Sequence, residues 1–493
     1  MPDSSVALGQ EGLPCPSPSP KELLGLPREL IDMIVLNLSA FDLVTLSATC
    51  RKLRGYAISD KYWRPIVQEN VPGVTLTEPG ACESFRDLYV AHDRLWFLPK
   101  YKIWFTEHLD MHGKLIIVRF DPRRGAIDGY QLVSRNTGRS SQDWHMDGVT
   151  VSVPEFKPQV SLHLDQPILH FGIQRPEAEQ LFTQRPDANR YADEIPMQLD
   201  DRMNSMYRNF RLATSMDEDV VQSCFLLGYP YRRVWPPPAI PSSHHICSAL
   251  LDRPSTRSEV YDRAFQIHTW AQMSGPSTSR RIFPHLAPLI GNASPTMLVD
   301  NYRVSAVAND FGVRMGESIV SFATLDPYLY TPTPLKPWRG IWIGDYNGHG
   351  TELILIHQPD DEKVPTDMEL GIERRGTETD AEWEARRTDV LIHQGRLEAI
   401  KLTGDPNVPR GEHTFIVDDL SNNGHVEHAT DEPFYGVRMV RSQGHVAETN
   451  FYNEKYIETR LLLISHDRLA QYWIEFESVC FLERVDIDSF LSP

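Results

Sequence analysis

Apolar positions near the start of the chain recur at helical spacing. Leu30, Ile31, Ile34, Val35 and Leu38 fall at i, i+1, i+4, i+5 and i+8. That is one stripe at the 3.6-residue period of an amphipathic helix. Pro27 stands where the helix begins, a place where a missing N–H costs nothing. Ser39 and Asp42 have the spacing of a capping box with Asp in place of Glu. They predict a second helix with the stripe Leu43, Leu46, Cys50 and Leu53. Trp63, Ile66 and Val67 mark a short third helix.

From about Phe85 the texture becomes that of strands. Short β-branched or aromatic runs with turn residues between them occupy 114–120, 149–153, 160–164, 339–346, 351–357, 397–402, 414–417, 460–465 and 472–476. Asn347-Gly348 predicts a hairpin turn between two of them, since such turns need φ > 0. Many short strands and few helical patterns predict a barrel or sandwich. The expected fold class is α+β: a small N-terminal three-helix module at 21–73, then a large, mainly antiparallel β-barrel-like domain at 113–493. Linker helices at 74–112, carrying Phe85, Leu88, Tyr89, Leu95 and Trp96, are expected to pack on the barrel. Residues 1–20 are Ser/Pro/Gly-rich and read as a disordered leader without the pattern of a signal peptide.

Three stretches read as surface loops or disordered insertions: 134–147, 175–211 and 360–389. The last carries eleven acids and five bases, which removes any aliphatic periodicity. Short helices are expected at Asp200–Tyr207 and Glu259–Met273, and Pro236-Pro237-Pro238 is a stiff connector.

The length of 493 residues allows about three domains. With 49 basic and 67 acidic residues the net charge is −18. A field of that sign repels phosphate backbones and anionic lipid, so neither nucleic acid nor membrane is expected as a partner. No apolar run reaches the roughly 18–20 residues of a transmembrane helix. Six scattered cysteines without CxxC spacing fit a reducing compartment, cytosol or nucleus.

Catalytic motifs fail on geometry. Ser465-His466-Asp467 holds the residue types of a triad, yet consecutive residues do not converge into a relay. The glycines at 344–350 lack the Lys-Ser/Thr ending of a phosphate loop. The histidines, including His244-His245 and His425/His428, lack ligand spacing, so neither metal nor cofactor is expected. By contrast, Thr403-Gly-Asp-Pro-Asn-Val-Pro409 combines fixed φ at two prolines with side chains that bond local backbone. Rigid loops on a barrel are where binding sites sit, and the same residues equally make a plain turn that closes a strand.

Leu26-Pro27-Arg28-Glu29-Leu30-Ile31, Leu38-Ser39-Ala40-Phe41-Asp42-Leu43, Leu46-Ser47-Ala48-Thr49-Cys50-Arg51-Lys52-Leu53-Arg54 and Tyr62-Trp63-Arg64, in this order, resemble an F-box. Residues 340–352, 400–411 and 467–475 resemble the C-terminal β-barrel of the F-box only protein 31 family. The resemblance implies docking on the Skp adaptor of a cullin–RING ubiquitin ligase, through Leu26, Pro27, Leu30, Ile31, Ile34, Leu38, Leu43, Leu46, Cys50, Leu53 and Trp63, and the alternative for this stripe is an internal helical-hairpin core, which some of these positions must form. It implies a non-catalytic substrate receptor that holds a protein through a short degron. The expected substrate wall is Trp342, Tyr346, His349, Thr351, Thr403, Asp405, Asn407 and Trp473. On alternating strand positions Trp342 and Tyr346 share one face and Ile341 and Ile343 the other, so the aromatics are either core or pocket wall. The rival reading is a non-ubiquitin scaffold or a barrel that encloses a small molecule.

Overall fold

The computed structural model describes residues 23–107, 113–173, 195–197, 206–214, 259–274, 313–346, 349–360 and 365–493. The expected leader, the triproline, His244-His245 and most of 175–211 lie outside the described residues.

Helices α1 (Arg28–Leu36), α2 (Ala40–Thr49), α3 (Arg51–Ala57) and α4 (Asp60–Glu69) form the N-terminal module. The Ser39 hydroxyl accepts from Asp42 N at 3.2 Å, and Asp42 Oδ2 accepts from Ser39 N at 3.3 Å. The capping box is therefore present, and α2 starts where expected. The stripe Leu43–Leu53 does not stay on one helix, because Cys50 is extended at φ −156°, ψ 163°. The hydroxyls of Ser47 and Thr49 donate to the carbonyls of Val44 and Leu46. Such local bonds compete with helix continuation, so α3 is a separate helix and the module has one more than predicted.

Helices α5 (Phe85–Ala91) and α6 (Phe97–Tyr101) follow. The next strands are β1 (Ile103–Glu107), β2 (Gly113–Asp121), β3 (Ala126–Asn136), β4 (Ser141–Met146), β5 (Val149–Pro154), β6 (Pro158–Leu162), β7 (Leu169–Phe171), β8 (Ile195–Pro196), β9 (Met206–Thr214), β10 (Val260–Ser274) and β11 (Val313–Thr324). Most make one open antiparallel sheet in the order β6-β3-β2-β1-β11-β10-β9-β8, while β4 and β5 form their own hairpin. After the short α7 (Pro327–Tyr330) come β12 (Gly340–Asp345), β13 (Thr351–His357), α8 (Asp380–Ile392), β14 (Leu397–Lys401), β15 (His413–Val417), β16 (His425–His428), β17 (Arg438–Glu448), β18 (Tyr452–Leu463), β19 (Arg468–Trp473) and β20 (Ser478–Arg484). Pairing of β15 with β17 closes eight of these strands into an antiparallel barrel, with β16 added outside on β17.

The expected β domain is thus an open sheet packed on a barrel. One hydrophobic layer joins them, with Ile103, Phe105 and Ile117 on the sheet side and Ile341, Ile343 and Leu355 on the barrel side. A second layer lies between the sheet's other face and the N-terminal helices. The third, with Trp342, Ile354, Phe415 and Leu461, fills the barrel interior. The alternation expected for Trp342 against Ile341 and Ile343 is observed.

Several expectations are corrected. Helices α5 and α6 pack on the open sheet instead of the barrel: Trp104 of β1 donates to the Leu98 carbonyl at 2.9 Å. The stretch 134–147 is no loop, because Ser141–Met146 pairs with β5 along its whole length. The helix expected at Glu259–Met273 is strand β10, paired on both sides with β9 and β11. Phe265 stacks on Phe322 at 4.8 Å, so cross-strand aromatic packing overrides a helix-like spacing. Met206 and Tyr207 belong to β9, not to a helix. Within 360–389, Thr379 and Glu382 make a capping box that starts the 13-residue α8. Strand β19 ends at Trp473, and Ile474–Phe476 is a 3-10 turn instead of strand.

Candidate docking face and barrel end

The N-terminal module divides its apolar residues between two sides. Ile31 and Val35 of α1, Leu43 of α2, Leu53 of α3 and Trp63 of α4 are buried. Trp63 donates to the Ala57 carbonyl at 2.6 Å, and its ring lies 5.4 Å from Tyr89. These residues support the module from behind and do not form an outer surface, which corrects the expectation that Ile31, Leu43, Leu53 and Trp63 touch the adaptor. The outer side carries Leu30, Met33 (63% exposed), Ile34 and Leu36 on α1, and Phe41 (73% exposed) and Val44 on α2. Pro27 and Cys50 are exposed beside them, and Leu26, Leu38 and Leu46 are half-buried. Met33, Leu36, Phe41 and Val44 were missed by the stripe argument. The signal was a second apolar stripe: 30, 33 and 34 fall at i, i+3 and i+4, and 41 and 44 at i, i+3.

The module is joined firmly to the open sheet. Asp60 accepts from Phe85 N at 2.9 Å, Trp96 donates to the Tyr89 carbonyl at 2.9 Å, and Trp96 packs 5.5 Å from Phe120 of β2. Phe85, Leu88, Leu95 and Trp96 thereby belong to the hydrophobic layer that also holds Trp63 and Trp104.

In the barrel, the antiparallel order brings the hairpin turns β12–β13, β14–β15, β17–β18 and β19–β20 to one end. Tyr346 and His349 sit at the first turn, and His349 is exposed. Asn347-Gly348 lies outside the described residues, but the hairpin register Asp345↔Thr351 is present. The Thr403–Pro409 segment follows β14. Its Asp405 accepts from the N–H of Asn407 at 2.6 Å and of Val408 at 2.7 Å. Asn407 donates to the Ala447 carbonyl at 2.9 Å, and Asn450 N donates to the Pro406 carbonyl at 2.8 Å. The loop is rigid because it is bonded both to itself and to the β17–β18 turn. Phe476 (56% exposed), Tyr452 and Tyr456 stand exposed at or near this end.

Not every expected wall residue faces this end. Trp342 lies fully buried in the barrel core and donates to the Trp338 carbonyl at 3.0 Å. Trp473 is buried beneath Gly444, where a Cβ would stand 2.3 Å from its ring. Thr351 points outward to the open sheet, its hydroxyl 2.9 Å from that of Ser134. Thr403 accepts from Leu353 N at 3.0 Å and so anchors the strand end. Ser465-His466-Asp467 forms the β18–β19 turn, where Asp467 pairs with Arg484 at 2.8 Å.

Below the end lies a buried charge cluster that the sequence did not reveal. Lys401 donates to both oxygens of Glu352 at 3.0 and 2.9 Å and also to Asp405. Its ammonium lies 4.8 Å from the centre of the Tyr346 ring. Burial, against the pull of Lys401, pushes Glu352 up to about 7. Burial acts on Asp405 too, but Lys401 and the Val408 N–H outweigh it and hold that carboxyl at about 2. Burial opposes the Lys401 charge, yet Glu352 and Asp405 raise it above its ordinary value. The sequence signal was a charged residue at an inward strand position: Glu352 shares the alternating face of Ile354 and pairs with Gly344.

Residues 23–65 match the family model described as F-box domain, and residues 322–489 the one described as Cyclin D1 binding domain. Over 158 residues the chain is 25% identical to Protein EXECUTER 2, chloroplastic, of Arabidopsis thaliana, covering 32% of this chain and 22% of that protein. It is also 25% identical over 134 residues to the protein of the same name from Oryza sativa subsp. japonica, covering 26% of this chain and 17% of that protein. The chain spans about a fifth of the length of these curated relatives. The helical module and the family match agree: this chain carries an F-box, and its C-terminal barrel is similar to Cyclin D1 binding domains.

Proposed function

We propose that the protein is the substrate-recognition subunit of a cullin–RING ubiquitin ligase of the Skp–cullin–F-box type. The observation that carries this reading is the outward stripe Leu30, Met33, Ile34, Phe41 and Val44 on a module whose inward stripe is already buried. A small helical unit with a spare apolar face fits a helix-in-groove partner, here the Skp adaptor, and through it cullin and RING subunits. The protein does no bond chemistry itself. It raises the effective concentration of a substrate lysine beside the ubiquitin thioester. The continuous packing from Trp63 through Trp96 to Phe120 supplies the stiffness such a bridge needs.

The barrel end with His349, the Thr403–Pro409 loop and Phe476 is the site proposed for a short degron, and the site of action the cytosol or nucleus. The match to Cyclin D1 binding domains favours a cyclin as substrate. The barrel interior is filled by Trp338, Trp342, Phe415 and Leu461, which argues against the small-molecule reading. Purified chain titrated with cyclin D1 is expected to bind it, and His349→Ala with Phe476→Ala to weaken the complex about tenfold or more. No binding, or binding untouched by both substitutions, removes the barrel end from the account.

A further inference from the structure

The charges below the barrel end lie on the barrel, apart from the outward stripe of α1 and α2. Glu352 is the second residue of β13, paired with Gly344 of β12, and its neighbour Leu353 accepts from Leu402 N at 2.9 Å. Asp405 sits on the loop and meets the same Lys401 ammonium. Lys401, Glu352 and Asp405 side chains are 2%, 4% and 6% exposed. Tyr346 and Cys480 face the cluster from the β12–β13 turn and β20, and burial raises both above their ordinary values, so they remain neutral and add no charge. One ammonium does not neutralise two carboxylates in a low dielectric, so the cluster favours retaining a proton. Asp405 has two backbone N–H donors and is the better carboxylate; the proton belongs to Glu352, which hydrogen-bonds Asp405.

Ionisation of Glu352 sets two buried anions side by side. The strand holds Glu352 in place, so Asp405 and its loop yield. We propose that Glu352, Lys401 and Asp405 form a protonation-controlled latch: it holds the Thr403–Pro409 loop down while Glu352 is protonated and releases it when Glu352 ionises. The loop's bonds to Ala447 and Asn450 carry the release to the β17–β18 turn. Burial places the Glu352 transition at about 7, within the neutral range. The latch stands without the substrate reading; where both hold, degron affinity changes across the same pH range.

Hydrogen exchange at the Asn407 and Val408 amides of the full chain tests it, corrected for intrinsic rates, at about pH 5.5 and about pH 8.5. Protection is expected to fall about tenfold or more at the higher pH in the wild type and to stay constant in Glu352→Gln. Unchanged wild-type protection, or the same fall in Glu352→Gln, overturns the latch. Should Glu352→Gln not fold, the wild-type carboxyl signal of Glu352, followed by carbon NMR, decides instead. A titration step near neutrality supports the latch; a step in the ordinary carboxylate range overturns it. Cyclin binding that fails while the exchange behaves as expected rejects the substrate reading and leaves the latch standing.

Discussion

Single residues divide here by direction more than by type. Leu43 and Phe41 stand two apart on α2, one buried and the other 73% exposed. Leu43→Ala opens a hole in the module's core and is expected to cost about 2–5 kcal/mol in chemical denaturation. Phe41→Glu is expected to leave the melting temperature within a few degrees of wild type while removing adaptor binding. Lys401 is the converse case, a charge whose removal leaves the buried Asp405 carboxylate and Glu352 without their ammonium partner. Lys401→Met is expected to destabilise the barrel by about 3–5 kcal/mol, because breaking a buried pair costs far more than the pair contributes. Glu352 also sets a pH dependence. Its folded pKa is raised, so its stabilisation is full below the ordinary carboxyl range and is lost as pH rises through about 7. Asp405, held at about 2, loses its contribution only as the pH falls through that value. Melting temperature is therefore expected to decline from pH 5 to pH 8 through Glu352, and Glu352→Gln to flatten that decline.

At the scale of elements, local chemistry was legible where it was self-contained. The Ser39–Asp42 box announced α2, and strand alternation placed Trp342 opposite Ile341. The same kind of signal stood unread at Thr379 and Glu382, hidden within a run of eleven acids. There Arg386 joins the charges into structure, bonding Glu378 at 2.8 Å and lying 4.9 Å from the Trp383 ring. Thr379→Ala is expected to cost α8 about 1 kcal/mol, visible as faster amide exchange in its first turn with the barrel unaffected. Strand β10 shows the opposite limit. Its apolar spacing suits a helix, and only the neighbouring strands β9 and β11 decide otherwise. Gly444 is read the same way: nothing nearby in sequence says that Trp473 needs its missing Cβ. Gly444→Ala is expected to cost about 1–3 kcal/mol through overpacking.

For the whole molecule, the sequence announced a helical module followed by β structure, but not how the β structure divides. Barrel closure depends on Phe415 meeting Gly444 across the chain, a pairing with no local signature. The layered result has a functional consequence. Three hydrophobic layers in series connect α1 and α2 through the open sheet to the barrel interior. Under the proposed function, this packing sets a fixed distance between the adaptor and a bound substrate. All of it depends on α1 and α2 presenting their outer stripe to a foreign subunit. The most direct measurement is the affinity of the purified full chain for the Skp adaptor by calorimetry, for wild type and for Ile34→Glu with Phe41→Glu. The account predicts a one-to-one complex tighter than about 1 μM, abolished in the double variant while its melting temperature is kept. A chain that ignores the adaptor, or a folded double variant that binds it as well as wild type, contradicts the account.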